Sequence, residues 1–271
     1  MDRAKSLEKL FEKLFKRLSE QEPNHYVVIT IEGGRTQFPV LIEALNAAEE
    51  FRNGNYEKAK EIFEKIYVDV RKELMGTTNA GMLPQIVIMY ANSLHATGNY
   101  KECLSLCEHE VLDVEISWTV SWEGALYNIK GMAFQSMGQG ENALQAYESS
   151  VRKFQASGDV HQVSLSLTNL AACLCQEGKE LEQAERLNRQ AITLKHRLGV
   201  SGIQIGPQSN YQVMGQIALK KGDRKNAIHW FDEAADFSQS CEDHITQCRA
   251  LAFATLTRLD EGYSLSSVHA A

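Results

Sequence analysis

Proline is scarce in this chain of 271 residues, with four in all, and no stretch is of low complexity. Both absences argue against a sizeable disordered region. No apolar run is long enough to span a bilayer. Charges run through the first twenty residues, so the apolar core of a secretory signal is missing. The six cysteines lack the spacing of a disulfide framework, and a chain of this length needs no such staples. Lys and Arg are spread along the chain and the net charge is −7. That leaves no footprint of a nucleic-acid binder. A reducing cytoplasmic (or nuclear) compartment is the expectation.

Signatures of catalysis are equally thin. Gly33-Gly34 lacks the lysine and the spacing of a phosphate loop. His161 and His196 have no nucleophile or carboxylate at triad-like positions. Cys241-x2-His244-x3-Cys248 carries ligand types at workable spacing, but a closed zinc site needs a fourth ligand, and helix packing is the simpler reading. Cys103, Cys107 and Cys173 fall at apolar packing positions and read as core thiols. The sequence therefore predicts no enzyme, no cofactor and no metal.

What the chain does contain is one recurring corner, a glycine, a short polar stretch and a small residue that opens an apolar helix. It appears at Gly54, Gly98, Gly138, Gly178 and Gly222, with a degenerate copy at Gly262, at intervals of 44, 40, 40, 44 and 40 residues. A fixed period in this range marks a repeat array, in which each unit buries its apolar face against its neighbours. Pro39, Pro84 and Pro207 precede the corner glycines of their units by 15, 14 and 15 residues. Proline suits a first helical turn, where its missing N–H is no loss, so the prolines independently support the phase.

Each unit reads as a helical hairpin whose glycine caps the first helix in the left-handed conformation. Helix A is predicted over 39–53, 84–97, 119–137, 160–177 and 207–221, and helix B over 56–75, 100–112, 140–156, 181–198 and 224–239. Residues 243–260 make a sixth helix A. Seven residues before each glycine the side chain is small: Ala47, Ala91, Gly131, Ala171 and Gly215. Five or six residues after it comes Ala59, Cys103, Ala143, Ala184 or Ala227, which lets the two backbones approach. Four positions on, Phe63, Cys107, Tyr147, Asn188 and Phe231 fill the gap. Asn188 departs from the pattern; an extra residue at Glu182 or Gln183 would put Leu187 there instead.

Residues 1–38 differ. Leu7, Leu10, Phe11, Leu14, Phe15 and Leu18 form a stripe at helical period over 3–21, opposite a mixed face of lysines and glutamates. It reads as a cap on the first repeat, with a membrane-surface or partner-binding helix as the alternative. His25-Tyr26-Val27-Val28-Ile29-Thr30-Ile31 ends at Gly33-Gly34 and predicts an extended linker, itself a candidate for the protein's own groove. The organisation is thus 1–38, an amphipathic helix plus linker; 39–262, five units and a sixth helix A; and 263–271, a tail. Trp118 and Trp122 sit at the entrance to the third unit, either filling a joint or offering a partner hot spot. The three-glycine loop 199–206 either folds back on a helix or forms a lip over a groove.

The small–Gly–aromatic–small–aromatic arrangement resembles the tetratricopeptide repeat over about residues 39–262. The unit length of 40 to 44 residues, against a basic unit of 34, resembles the long-unit subgroup, and Leu167-Thr168-Asn169-Leu170-Ala171 followed by Ala184-Glu185-Arg186-Leu187 is most similar to it. The resemblance implies an all-α, right-handed superhelical solenoid whose A helices line a concave groove that holds an extended peptide or a partner helix. Carried over by position, it nominates Gln85, Asn92, His95, Asn128, Gln135, Asn169, Gln212 and Gln216 as groove residues. Asn and Gln carry donors and an acceptor, so they can pair with both halves of a peptide unit. The carboxylate clamp of chaperone-binding members is absent, because Ile88, Ile129, Leu165 and Asn169 stand where its lysines, second asparagine and arginine belong. A non-catalytic scaffold or adaptor for another protein is the resulting expectation, with a peptide- or small-ligand-sensing regulatory domain as the alternative. An exposed terminal helix at 243–260 could support a homodimer.

Overall fold

The computed structural model describes residues 38–74, 83–112, 119–200, 206–241 and 243–260. These residues form eleven α-helices in five hairpins and a last single helix. The hairpins are α1 (Phe38–Arg52) with α2 (Tyr56–Leu74), α3 (Leu83–Ala96) with α4 (Tyr100–Leu112), and α5 (Val120–Ser136) with α6 (Gly140–Ser157). They continue with α7 (Val160–Glu177) and α8 (Leu181–Val200), then α9 (Gln208–Lys220) and α10 (Arg224–Ser240), and end at α11 (His244–Asp260). Every one of these bounds falls within two residues of the bound read from the sequence. The expectations for the amphipathic helix 3–21, the linker up to residue 37, Trp118, the centre of the loop 199–206 and the tail 263–271 lie outside the described residues.

The corners explain the period. Gly54, Gly98, Gly138, Gly178 and Gly222 all have positive φ, between 67° and 80°. Each glycine N–H donates to the carbonyl three residues back, and the next N–H donates to the carbonyl five residues back, as in Gly54 to Phe51 (3.1 Å) and Asn55 to Glu50 (2.9 Å). This paired 5→2 and 6→1 closure satisfies helix-end carbonyls that would otherwise be orphaned. A side chain in that conformation costs about 1 to 2 kcal/mol, which only glycine avoids.

The fourth unit carries its extra residue in the corner rather than in the helix. Lys179 and Glu180 separate Gly178 from α8, and Glu180 adopts a positive φ of 46°. Ala184 N–H then bonds back to the Glu180 carbonyl, as Ala59 does to Asn55. The helix register is thereby preserved, and Asn188, not Leu187, fills the gap. Asn188 is fully buried. Its Nδ2 donates to the Asn210 carbonyl (2.8 Å) and its Oδ1 accepts from Asn210 Nδ2 (2.7 Å). Leu187 is half-buried against the same core.

Small residues set the spacing within each hairpin. Ala47, Ala91, Ala171, Ala59, Cys103, Ala143, Ala184 and Ala227 are all fully buried. Where the facing residue is a large ring, two units use glycine. A Cβ added at Gly131 would lie 2.6 Å from the Tyr147 ring, and one at Gly215 would lie 2.4 Å from the Phe231 ring. Successive A helices (α1, α3, α5, α7, α9, α11) also pack on one another, whereas the B helices pack chiefly on A helices. The A side is the tighter one, so the array curves with its A helices inside.

Gly215→Ala is expected to destabilise the protein despite the better helix propensity of alanine, because overpacking costs about 1 to 3 kcal/mol. A thermal melt should show the loss, and Phe231→Leu in the same chain should recover most of it.

Candidate functional site

The inner face carries no charge at the nominated positions. Gln85, Ile88, Asn92 and His95 project from α3; Ala125, Asn128, Met132 and Gln135 from α5; Leu165, Thr168, Ala172 and Cys175 from α7; and Ser209, Gln212, Gln216 and Leu219 from α9. Most of these are half-buried, the state of a side chain flanked by neighbouring helices and open on one side; Thr168, Cys175 and Gln212 are buried and Ser209 is exposed.

Several of the amides bond to each other across successive A helices. Asn169 Nδ2 donates to Asn128 Oδ1 (3.0 Å), and Gln135 Nε2 donates to Gln176 Oε1 (2.7 Å). His95 Nε2 lies 3.1 Å from Ser136 Oγ. In each pair the residue of the later unit sits one place nearer its own corner glycine than its partner does. Gln135 Oε1 also accepts from Tyr147 OH (2.8 Å), which ties the inner face to the aromatic filling of the hairpin. Gln212 is buried and donates to the Thr246 carbonyl of α11 (2.9 Å). The nominated residues are therefore of two kinds. His95, Asn128, Gln135, Asn169 and Gln212 stitch neighbouring A helices together. Gln85, Asn92 and Gln216 are half-buried along the same face. Ser136 and Gln176 were not among the positions read from the sequence. The signal for them is their shared place, two before the corner glycine.

Other chemistry is muted. Burial lowers the His95 pKa, opposed by its bond to the Met132 carbonyl. Cys103, Cys107, Cys173 and Cys175 are buried thiols. Burial and the nearby Glu177 push Cys173 up to about 11, away from the thiolate. Cys241 is exposed and donates to the Ser238 carbonyl. Among the described residues no group of three or more His, Cys, Asp or Glu is placed to hold a metal. Trp122 is half-buried in the first turn of α5, which Thr119 caps. A cleft of about 230 Å³ between α8, α9 and α10 is lined by Glu185, Arg189, Lys221 and Trp230 among others. It is smaller than the usual range of small-molecule sites, about 300 to 1,000 Å³. Its central carboxylate, Glu185, is already held by Lys221 (2.8 Å) and Arg189 (2.7 Å).

One buried cation stands out. Lys195 of α8 is 2% exposed and, among the described residues, reaches the Gly206 carbonyl (3.5 Å) and Ser209 Oγ (3.4 Å). Desolvation pulls its pKa down to about 8.

Two tetratricopeptide-repeat family models match the chain, over residues 123–195 and 209–241. These ranges fall within α5–α8 and α9–α10. Among solved structures, BtubC (BKLC) from P. vanneervenii is similar at 16% identity and a TM-score of 0.61, over 75% of this chain and 81% of that one. The apo form of RapI matches at 12% identity and 0.64, over 82% and 77%. A signal-transduction ATPase with numerous domains and a tetratricopeptide repeat sensor, from Pyrococcus horikoshii, matches at 13% and 0.64, over 83% of this chain and 33% of that one. At these identities the likeness is one of fold. A search of curated proteins finds no match. Residues 123–195 and 209–241 are thus similar to tetratricopeptide repeats, and the fold is the superhelical solenoid that such repeats form. Such repeats are typically non-catalytic modules that bind other proteins. Among the described residues no helix is long and apolar enough to cross a membrane.

Two measurements follow from the buried polar groups. Lys195 is charged in both folded and unfolded chains below about pH 8, so its burial opposes folding there, and the penalty fades as pH rises towards its unfolded pKa of about 10.4. Lys195→Met should therefore raise the denaturation midpoint at pH 7, with a smaller gain at pH 9.5. Asn188→Ala removes both hydrogen bonds between Asn188 and Asn210, leaving Asn210 Nδ2 with Thr168 Oγ1 (2.9 Å), and should cost about 1 to 3 kcal/mol in the same assay.

Proposed function

We propose that the chain is a scaffold or adaptor whose inner A-helix face binds an extended peptide, or a helix, from another protein. The uncharged character of the nominated positions on that face supports this reading above all. Amides there can pair with both N–H and C=O of a bound main chain, and the half-buried Ile88, Met132, Leu165 and Leu219 between them suit apolar side chains. A highly charged ligand would lose hydration at these positions without gaining a counter-charge from them. Gln85, Asn92 and Gln216 are the foremost contacts. Asn128, Gln135, Asn169 and His95 would act as much by fixing the pitch of the floor as by touching the ligand. The binding is non-catalytic and needs no cofactor. The six free cysteines fit a reducing, cytoplasmic setting. A ligand-sensing regulatory domain draws no support from any particular residue. Self-association through α11 is a separate proposal with its own surface.

The test is affinity capture from native cell extract with the wild-type chain and with an Asn92→Ala, Asn128→Ala, Gln216→Ala variant, checked for an unchanged circular dichroism spectrum. Each lost backbone contact costs about 0.5 to 1.5 kcal/mol. A protein held by the wild type and lost by the variant is the expected result. Identical capture by both would remove the inner face from the reading.

A further inference from the structure

The last helix leaves an apolar face uncovered. Ile245 is 74% exposed, Leu256 60% and Leu251 47%. These are three of the seven exposed large hydrophobic side chains among the described residues, all on one helix. The face is ordered. The exposed Ile245, Cys248, Ala252 and Leu256 and the half-buried Leu259 recur at intervals of 3, 4, 4 and 3, which at 100° per residue is one narrow stripe, with Leu251 on its border. It lies on the side of α11 opposite Ala250, Phe253, Ala254 and Thr257, which pack inward, with Phe253 stacked on Phe231 at 5.2 Å.

We propose that α11 pairs with α11 of a second copy of this chain, antiparallel, about a two-fold axis at Ala252. The spacing of the stripe reads the same in both directions. An antiparallel pair centred on Ala252 therefore sets Ile245 against Leu259 of the second copy and Cys248 against Leu256, twice over, with the small Ala252 side chains at the closest approach. A two-fold contact must be self-complementary in this way; a binding site for an unrelated helix has no need of a palindromic spacing. The bordering charges agree. Arg249 and Asp260 are exposed on the same flank of the stripe. Side chains lean towards the N-terminus of their helix, so in the antiparallel arrangement Arg249 of one copy leans towards Asp260 of the other. Among the described residues no like charges meet along the stripe. One helix pair is a small contact, below the area of a standard stable interface, so the dimer is weak and reversible. Its two grooves remain open.

Sedimentation velocity on the full chain from low to high micromolar concentration tests the pairing. The wild type should show a reversible dimer. Leu256→Asp should weaken it at least about 30-fold, as loss of an interface hot spot does. Arg249→Glu should weaken it, and Asp260→Arg in the same chain should restore it. The register is tested in a chain carrying Cys241→Ser and Cys248→Ser. There Ala252→Cys should form a disulfide dimer under mild oxidation, while Thr255→Cys, off the axis, should not. A wild type that stays monomeric throughout would overturn the proposal, as would a dimer indifferent to Leu256→Asp. So would a monomer that dimerises only when residues 1–37 are removed, which would assign the face to the chain's own N-terminal segment. None of these outcomes bears on the groove, which is read separately by capture.

Discussion

The fold depends on how closely the two helices of each hairpin approach. That distance is set by a few side chains of minimal size. Ala47 and Ala59, Ala91 and Cys103, and Ala171 and Ala184 are buried completely. In the third and fifth hairpins the facing ring comes closer than an alanine allows, and Gly131 and Gly215 give the Tyr147 and Phe231 rings their place. Interiors at crystal-like density tolerate little else. The corner glycines then turn the chain at the right point for this contact to form.

A second level of order lies between hairpins and is polar. Amides on the inner face pair from one A helix to the next, at Asn128–Asn169 and Gln135–Gln176, and the Asn188–Asn210 pair is buried between α8 and α9. Apolar packing is non-directional and permits helices to slide; a hydrogen bond of 2.7 to 3.0 Å does not. These pairs fix the angle between successive units, and so the shape of the face that would receive a ligand. Candidate recognition chemistry and structural chemistry therefore share the same residue types on the same surface.

The phase of the array was legible because its signals are local. A glycine with positive φ and a small residue at fixed offset leave a mark at the same place in every unit. The amide pairs were not legible in that way. Asn169 meets Asn128 only because the superhelix brings residues 41 positions apart to within 3.0 Å, a distance that no single unit encodes. Asn188 misled for a related reason: an asparagine at an apolar position reads as a slipped register until Asn210 is known to lie against it. The inserted residue was misplaced because Glu180 adopts a left-handed conformation, which glutamate seldom does and which gives no compositional warning.

Gly158 connects α6 to α7 with a corner like those inside the hairpins. It has a φ of 73°, and Asp159 follows it as the cap of α7, accepting from Gln162 N–H (3.1 Å). Elsewhere the step from one unit to the next is made by a longer segment; here two residues suffice. For helices α5 to α8, contact between units is thus as short-range along the chain as contact within one. Little loop-closure entropy opposes joining them. In a linear array the rate of folding follows the most local block. The middle of this solenoid is where ordering should begin, spreading outward to the ends, so amide hydrogens of α5 to α8 should be the last to exchange with solvent.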